Sequence, residues 1–301
     1  MYAKGDPRAT LNTAAAPASA ATSYKGASYA RFYAEAPQHE EASGRTWYAR
    51  GQNLVIAYSE AEAGMVLEAE TVDEYAVLVP FAGTSATIEA AGGSETLNGP
   101  AIAFVPAGPS RIEVTSGGVV VRMITTLNEA VVALCSNASA YDTPDPNVAP
   151  FQPWPAPEGP PRIRAYDADV PDEPGRFGRL FRGQNVMINF FKDSPPRDTS
   201  RMSPHHHDDF EQYSLCLKGS YIHYLRWPWT TDLSAWREDD AEECKAPSVA
   251  VITPPAIHTS RSMDPGGNLL VDIFGPPRAD FSAKPGWVLN AADYPMPDTA
   301  D

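Results

Sequence analysis

Four identical residues in a row occur twice in this chain. Arg50-Gly51-Gln52-Asn53 leads into Leu54-Val55-Ile56-Ala57-Tyr58, and Arg182-Gly183-Gln184-Asn185 leads into Val186-Met187-Ile188-Asn189-Phe190, at an offset of 182 − 50 = 132. Such self-similarity restricts the architecture more than any composition does, because two copies of one pattern fold into two copies of one unit. The register continues. Glu74-Tyr75 matches Glu211-Gln212-Tyr213 at an offset of 211 − 74 = 137, and Pro106 matches Pro254 at 254 − 106 = 148. The added residues fit the polar stretch Ser194–Ser200 and the segment Trp227–Glu243. Both insertions fall in the second half, where loops near a site can carry specificity.

Between the copies, Pro144, Pro146, Pro150, Pro153, Pro155, Pro157, Pro160 and Pro161 crowd one short stretch. Proline at that density disfavours helix and sheet and reads as a semi-rigid, extended strap. Elsewhere short apolar runs recur, rich in β-branched and aromatic residues and punctuated by Gly, Pro, Asn and Asp. Examples are Leu54–Tyr58, Tyr75–Val79, Ala101–Val105, Tyr213–Leu217, Val249–Ile252 and Leu269–Phe274. That pattern predicts an all-β protein of sandwiches or barrels, jelly rolls included. Leu127–Ser136 and Asp232–Glu243 are the best helix candidates. The expected organisation is an N-terminal arm over 1–44, a first domain over 45–142, the Pro-rich linker over 143–162 and a second domain over 163–301. An alternative for the arm, a short strand or helix packed on a second copy in a homodimer, stays open.

A net charge of −15 repels phosphate backbones and anionic lipid, so nucleic-acid and membrane partners are not expected. No run approaches the roughly 18 apolar residues of a membrane span. Met1–Ala21 lacks the basic front and apolar block of a secretory signal. Three scattered cysteines, Cys135, Cys216 and Cys244, make no disulfide framework. A reducing, cytoplasmic location is expected.

Chemistry concentrates in Pro204-His205-His206-His207-Asp208-Asp209-Phe210-Glu211. On a strand, residues two apart share a face, so His205 and His207 aim together while His206 turns away. Glu211 follows within reach, and His258 stands after the apolar strand Val249–Ile252 and the turn Pro254-Pro255. Imidazoles and a carboxylate converging in a pocket suit a divalent transition metal. Tyr213 shares strand parity with Glu211 and is expected inside, with Gln212 facing away. Tyr213 and His223 are candidate catalytic groups. Arg226 and Arg261 are candidate clamps for a substrate carboxylate, and Tyr221 and Trp227 candidate substrate contacts. Trp227, Trp229 and Trp236 are candidates for an aromatic lid. Asp208 and Asp209 are candidates to orient the histidines.

At these residues the chain resembles the cupin superfamily in its two-domain, bicupin form. The first cupin motif, G-x5-H-x-H-x3,4-E-x6-G, is met at its centre by His205-x-His207-x3-Glu211. Gly219 lies one place late, and Thr199 stands at the leading glycine. The second motif, G-x5-P-x-G-x2-H-x3-N, is met at His258, with Pro255 at its glycine and Ser262 at its asparagine. The resemblance spans roughly 45–130 and 177–275. It implies two tandem jelly-roll β-barrels with metal ligands His205, His207, Glu211 and His258, holding one Fe, Mn, Ni or Zn ion. In the first half Glu68 and Glu70 replace the two histidines, Glu74 matches Glu211, and Ser110 or Arg111 matches His258. That half is expected to serve packing or assembly. The implied function is a mononuclear metalloenzyme for a small polar, carboxylated substrate, with a dioxygenase preferred. An isomerase or lyase of a keto sugar acid, and a non-catalytic metal or small-ligand binding protein, are the alternatives.

Overall fold

The computed structural model describes residues 6–10, 23–208 and 210–297, with backbone alone at 9 and 10. Asp209 and residues 1–5 and 11–22 of the expected arm lie outside these. Strands dominate, and every paired strand is antiparallel. They form two large sheets and two small ones. In a seven-stranded sheet the order is Arg164–Asp167, Ala101–Val105, Tyr75–Val79, Gly118–Thr125, Leu54–Ala61, Gly44–Arg50, His39–Glu41. In a six-stranded sheet it is Ser28–Ala30, Ser248–Ile252, Glu211–Lys218, Leu269–Gly275, Met187–Phe190, Leu180–Arg182. A four-stranded sheet of Val66–Thr71, Gly108–Ser116, Ser85–Ala90 and Gly93–Asn98 completes the first barrel. Asp240–Lys245, Ser220–Arg226 and Ile257–Ser262 complete the second.

The edge strands cross between the halves. Ser28–Ala30, from the segment expected as an arm, pairs with Val249–Val251 of the second half, and Arg164–Asp167 pairs with Ala101–Phe104 of the first. The exchange obeys the repeat: Tyr29 faces Ala250 and Tyr166 faces Ile102, at offsets of 166 − 29 = 137 and 250 − 102 = 148. Each crossing covers a sheet edge that would otherwise expose unpaired backbone groups.

The largest core lies between the two big sheets. Leu54, Ile56, Leu78, Ile102, Phe104 and Met123 meet Ile188, Tyr213, Leu215, Val251, Val271 and Ile273 there, all buried. A second core fills the first barrel with Met65, Leu67, Val77, Ile88, Val105, Ile112 and neighbours. The large sheets are therefore buried on both faces, so their strands read as continuous apolar runs rather than alternating ones.

The duplicated Arg-Gly-Gln-Asn turns sit at this shared interface, each against a glutamate of the other half. Glu211 accepts 2.9 Å hydrogen bonds from the amides of Gln52 and Asn53, and a 2.8 Å bond from the Tyr213 hydroxyl. The amide of Leu54 donates in turn to Tyr213 Oη at 2.9 Å. Reciprocally, Glu74 accepts from the amide of Gln184 at 2.9 Å and the Tyr294 hydroxyl at 2.8 Å. The glycines are required by this approach. A Cβ on Gly51 would lie 2.2 Å from Tyr213 Oη, and one on Gly183 2.6 Å from Glu74 Oε1.

Two local expectations change. Of Leu127–Ser136, only Glu129–Val132 is α-helix, followed by turns. Asp232–Glu243 is not a helix: a 3-10 turn at Leu233–Ala235 gives way to the strand Asp240–Lys245, because pairing with Ser220–Arg226 overrides helix propensity.

Burial pushes the Glu74 carboxyl up to about 7, against the Gln184 amide and Tyr294 hydroxyl that favour its charged form. The folded chain thus holds a proton that the unfolded chain releases from its ordinary 4.5 upward. Stability from this group is full below that value and is lost as pH rises toward about 7, at about 1.4 kcal/mol per pH unit. Glu74→Gln should therefore lose less thermal stability than wild type between about pH 5 and about pH 8. Melting curves across that range check this, and parallel pH profiles would contradict it.

Candidate functional site

The second barrel, unlike the first, has a polar interior. His205 lies just before the strand Glu211–Lys218 and forms a two-way bridge with His258: His205 N donates to His258 O at 3.1 Å, and His258 N to His205 O at 2.7 Å. This bridge joins the two histidine-bearing segments that are far apart in sequence. The ring centroids stand 4.5 Å apart for His205 and His258, 5.0 Å for His207 and His258, and 6.5 Å for His205 and His207. Among the described residues, no three His, Cys, Asp or Glu side chains stand so that they could hold a metal ion by themselves.

The tautomers follow from the backbone. His205 Nδ1 is 2.9 Å from Ser203 O and His258 Nδ1 is 2.9 Å from Ala256 O. A carbonyl accepts only, so each Nδ1 carries the proton and each Nε2 the lone pair. His207 stacks on Phe210 at 4.0 Å, and both of its ring nitrogens are buried without a hydrogen-bond partner. Burial holds the protonation of all three rings well down, His258 to about 4, so they are neutral near pH 7.

Glu211 is not with them. Its carboxylate faces the first half, and Tyr213 faces the same way, 2.8 Å from it. Strand parity overturns both expectations: Tyr213, Leu215 and Leu217 belong to the core between the big sheets, so Gln212, Ser214 and Cys216 face the barrel interior. Gln212, expected to turn away, brings its Oε1 to 3.3 Å from His258 Nε2. With its proton on Nδ1, Nε2 can only accept, so two acceptors face one another. A cation between them would satisfy both, as would one against the orphaned His207, so the donor set fits a divalent metal.

Sequence carried a sign of this. The motif allows three or four residues before its acidic position, and the glycine that falls one place late from Glu211 falls in step with Gln212. Behind the amide lies Asp272, which accepts from Ser214 Oγ at 2.8 Å and Gln212 Nε2 at 3.2 Å. Burial pushes Asp272 up to about 6. No motif pointed to it.

A cavity of about 660 Å³ opens beside His205, Gln212, His258 and Asp272. Tyr221 lines it. Arg226 and Arg261 do not. Arg226 is exposed and held by Asp239 at 3.0 Å. Arg261 is three residues from His258, hence on the opposite strand face. The guanidinium groups present are instead those of Arg8, Arg176, Arg179 and Arg197. Arg8 pairs with Asp6, Arg176 with Glu173 and Arg179 with Asp172. Arg197, among the described residues, makes no carboxylate pair. It donates to Ser260 O at 3.0 Å, Arg201 O at 3.2 Å and Ser203 Oγ at 2.7 Å. Only folding brings Arg8 and Arg197 to this wall.

His223 lies one strand over, buried, with Nδ1 2.8 Å from Ser260 Oγ and Nε2 without a partner. Burial lowers it to about 4. Asp208 approaches the outward His206, at 3.9 Å, rather than the inward rings; Asp209 lies outside the described residues. Trp227 packs with Leu225, Ile252 and Ala256 and is core, while Trp229 stacks on Trp236 at 4.4 Å in an exposed loop.

In the first barrel Glu68 and Glu70 are exposed on a strand edge of the small sheet. Where Gln212 meets His258, this half has Tyr75 and Ser110, joined by a 2.8 Å bond between hydroxyls.

The fold has solved counterparts. An oxalate decarboxylase from Lactobacillus farciminis, in a formate complex, aligns at a TM-score of 0.56 with 13% identity, over 85% of this chain and 88% of that one. AerE from Microcystis aeruginosa aligns at 0.55 with 8% identity, over 80% and 96%. Oxalate decarboxylase from Bacillus subtilis aligns at 0.50 with 10% identity, over 86% and 80%. The chain has a two-barrel cupin fold. No family model matches it, and no curated protein does. No helix among the described residues is long and apolar enough to cross a membrane.

The placement of the tryptophans has a measurable consequence. Trp227→Ala should cost about 3–5 kcal/mol, as loss of a large core side chain does, and Trp229→Ala less than about 0.5 kcal/mol. Equal, small effects in urea titration would return Trp227 to the surface.

Proposed function

We propose that the second barrel holds one divalent transition metal through His205, His207 and His258, with the Gln212 amide oxygen as fourth donor. On this reading the chain is an enzyme for a small carboxylated substrate, preferentially cleaving it with dioxygen. One observation carries the reading: the Nε2 lone pair of neutral His258 faces the Gln212 amide oxygen at 3.3 Å, and neither ring nitrogen of the buried His207 beside it has a hydrogen-bond partner. Leaving such groups unsatisfied is costly, and a cation removes the cost. Oxalate decarboxylase from Bacillus subtilis, which shares the fold, has Mn(II) centres.

The bound ion would act as a Lewis acid with open positions for substrate and dioxygen. The chain's own groups do the rest. Four neutral donors leave the ion's full charge uncompensated, which favours an anionic substrate. Arg197 lines the cavity, held there by Ser260 O and Ser203 Oγ, and its positive charge attracts the substrate carboxylate, the role expected of Arg226 and Arg261. Tyr221 forms part of the cavity wall and can orient the substrate.

Untagged protein should carry about one Fe, Mn, Ni or Zn per chain. His258→Ala should lose at least about 90% of it, as removal of one direct ligand does. Glu211→Gln should keep the metal and lose only stability. Metal analysis of the three proteins decides. Loss of metal in Glu211→Gln with retention in His258→Ala would sink the assignment. Oxygen uptake during turnover of small carboxylates, absent under nitrogen, separates oxidative cleavage from isomerase or lyase chemistry.

A further inference from the structure

An amide can present either its oxygen or its NH2 to a neighbour, and only its other contacts decide which. At Gln212 the choice determines whether the histidine cluster gains a donor atom or a blocking N–H. Left to itself, the amide would place NH2 toward His258 Nε2, where it could donate to the lone pair. The structure has the reverse: Gln212 Nε2 lies 3.2 Å from Asp272 Oδ1 and 3.0 Å from Ser214 Oγ, and Oε1 faces His258. Ser214 Oγ itself donates to Asp272 Oδ1 at 2.8 Å, which leaves the serine oxygen as an acceptor for the amide. Both contacts behind Gln212 accept, and both belong to the two central strands of the six-stranded sheet, Glu211–Lys218 and Leu269–Gly275.

We propose that Asp272, supported by Ser214, is the positioning residue of the site: it holds the Gln212 amide with oxygen toward the histidines and so creates the fourth donor. This rests on the metal reading above. It also accounts for an acidic group at the cavity wall that makes no ion pair among the described residues. Here a carboxylate acts on the histidine cluster through an amide instead of meeting it directly.

Titration with Mn(II), read from the free-ion EPR signal, tests this on the full chain. Asp272→Val should bind Mn(II) about 10–100-fold more weakly, the usual cost of removing a group that orients a ligand. Its metal-free form should melt no lower than wild type, since an unpaired buried carboxylate is lost. Asp272→Asn, whose carbonyl still accepts from Gln212, should stay within about threefold of wild type. If the valine variant does not fold, Asp272→Ala carries the same expectation. Wild-type affinity in either truncation, with Mn(II) still bound by wild type and lost in His258→Ala, overturns the positioning role alone. Absence of Mn(II) binding in wild type overturns the metal reading and this inference with it.

Discussion

Two buried carboxylates, each seated on the backbone of the opposite half, organise this molecule. Glu211 on the Gln52-Asn53 turn and Glu74 on the Gln184 turn are stripped of water, and the amides that replace it are fixed by tight turns between adjacent strands. The bonds at these two groups are short and directional, and leaving either partner unmet in the interior would be expensive. They fix the rotation of one barrel against the other, and the apolar surfaces of the two large sheets then close around them. Strand exchange ties the same pair together at the edges.

The site follows from that commitment. Once Glu211, Tyr213, Leu215 and Leu217 are given to the shared core, the alternate residues of the strand must face into the second barrel, and these are Gln212, Ser214 and Cys216. The interior is therefore polar, with neutral nitrogen and oxygen donors around His258 and an acid, Asp272, behind them. In the first barrel the same parity places Tyr75 and Ser110 inward among apolar side chains. One topology thus yields a packed core in one copy and a polar-walled cavity in the other, by substitution at a few inward positions.

The cavity also draws on segments remote in sequence. Arg8 and Arg197 meet over Ser203, whose carbonyl fixes the His205 ring. The second insertion, by contrast, supplies little: Trp227 is core, and the Trp229–Trp236 stack stands in solvent.

Much of this was legible beforehand. The Arg-Gly-Gln-Asn repeat fixed two like units because identical patterns of turn and apolar run fold alike, and alternation alone put His205 and His207 on one side. His258 was readable as the residue after a strand and its turn. Which side chain of the strand joins the histidines was not. A strand buried on both faces has no polar side to announce which parity looks inward, so Glu211 and Gln212 were equal claimants. Packing decided between them: the large apolar residues of Glu211–Lys218 go where the opposing sheet offers the most apolar area. The arginines at the cavity were equally out of reach, since pairing and strand crossing, not nearness in sequence, bring Arg8 and Arg197 to the histidines and leave Arg226 and Arg261 outside.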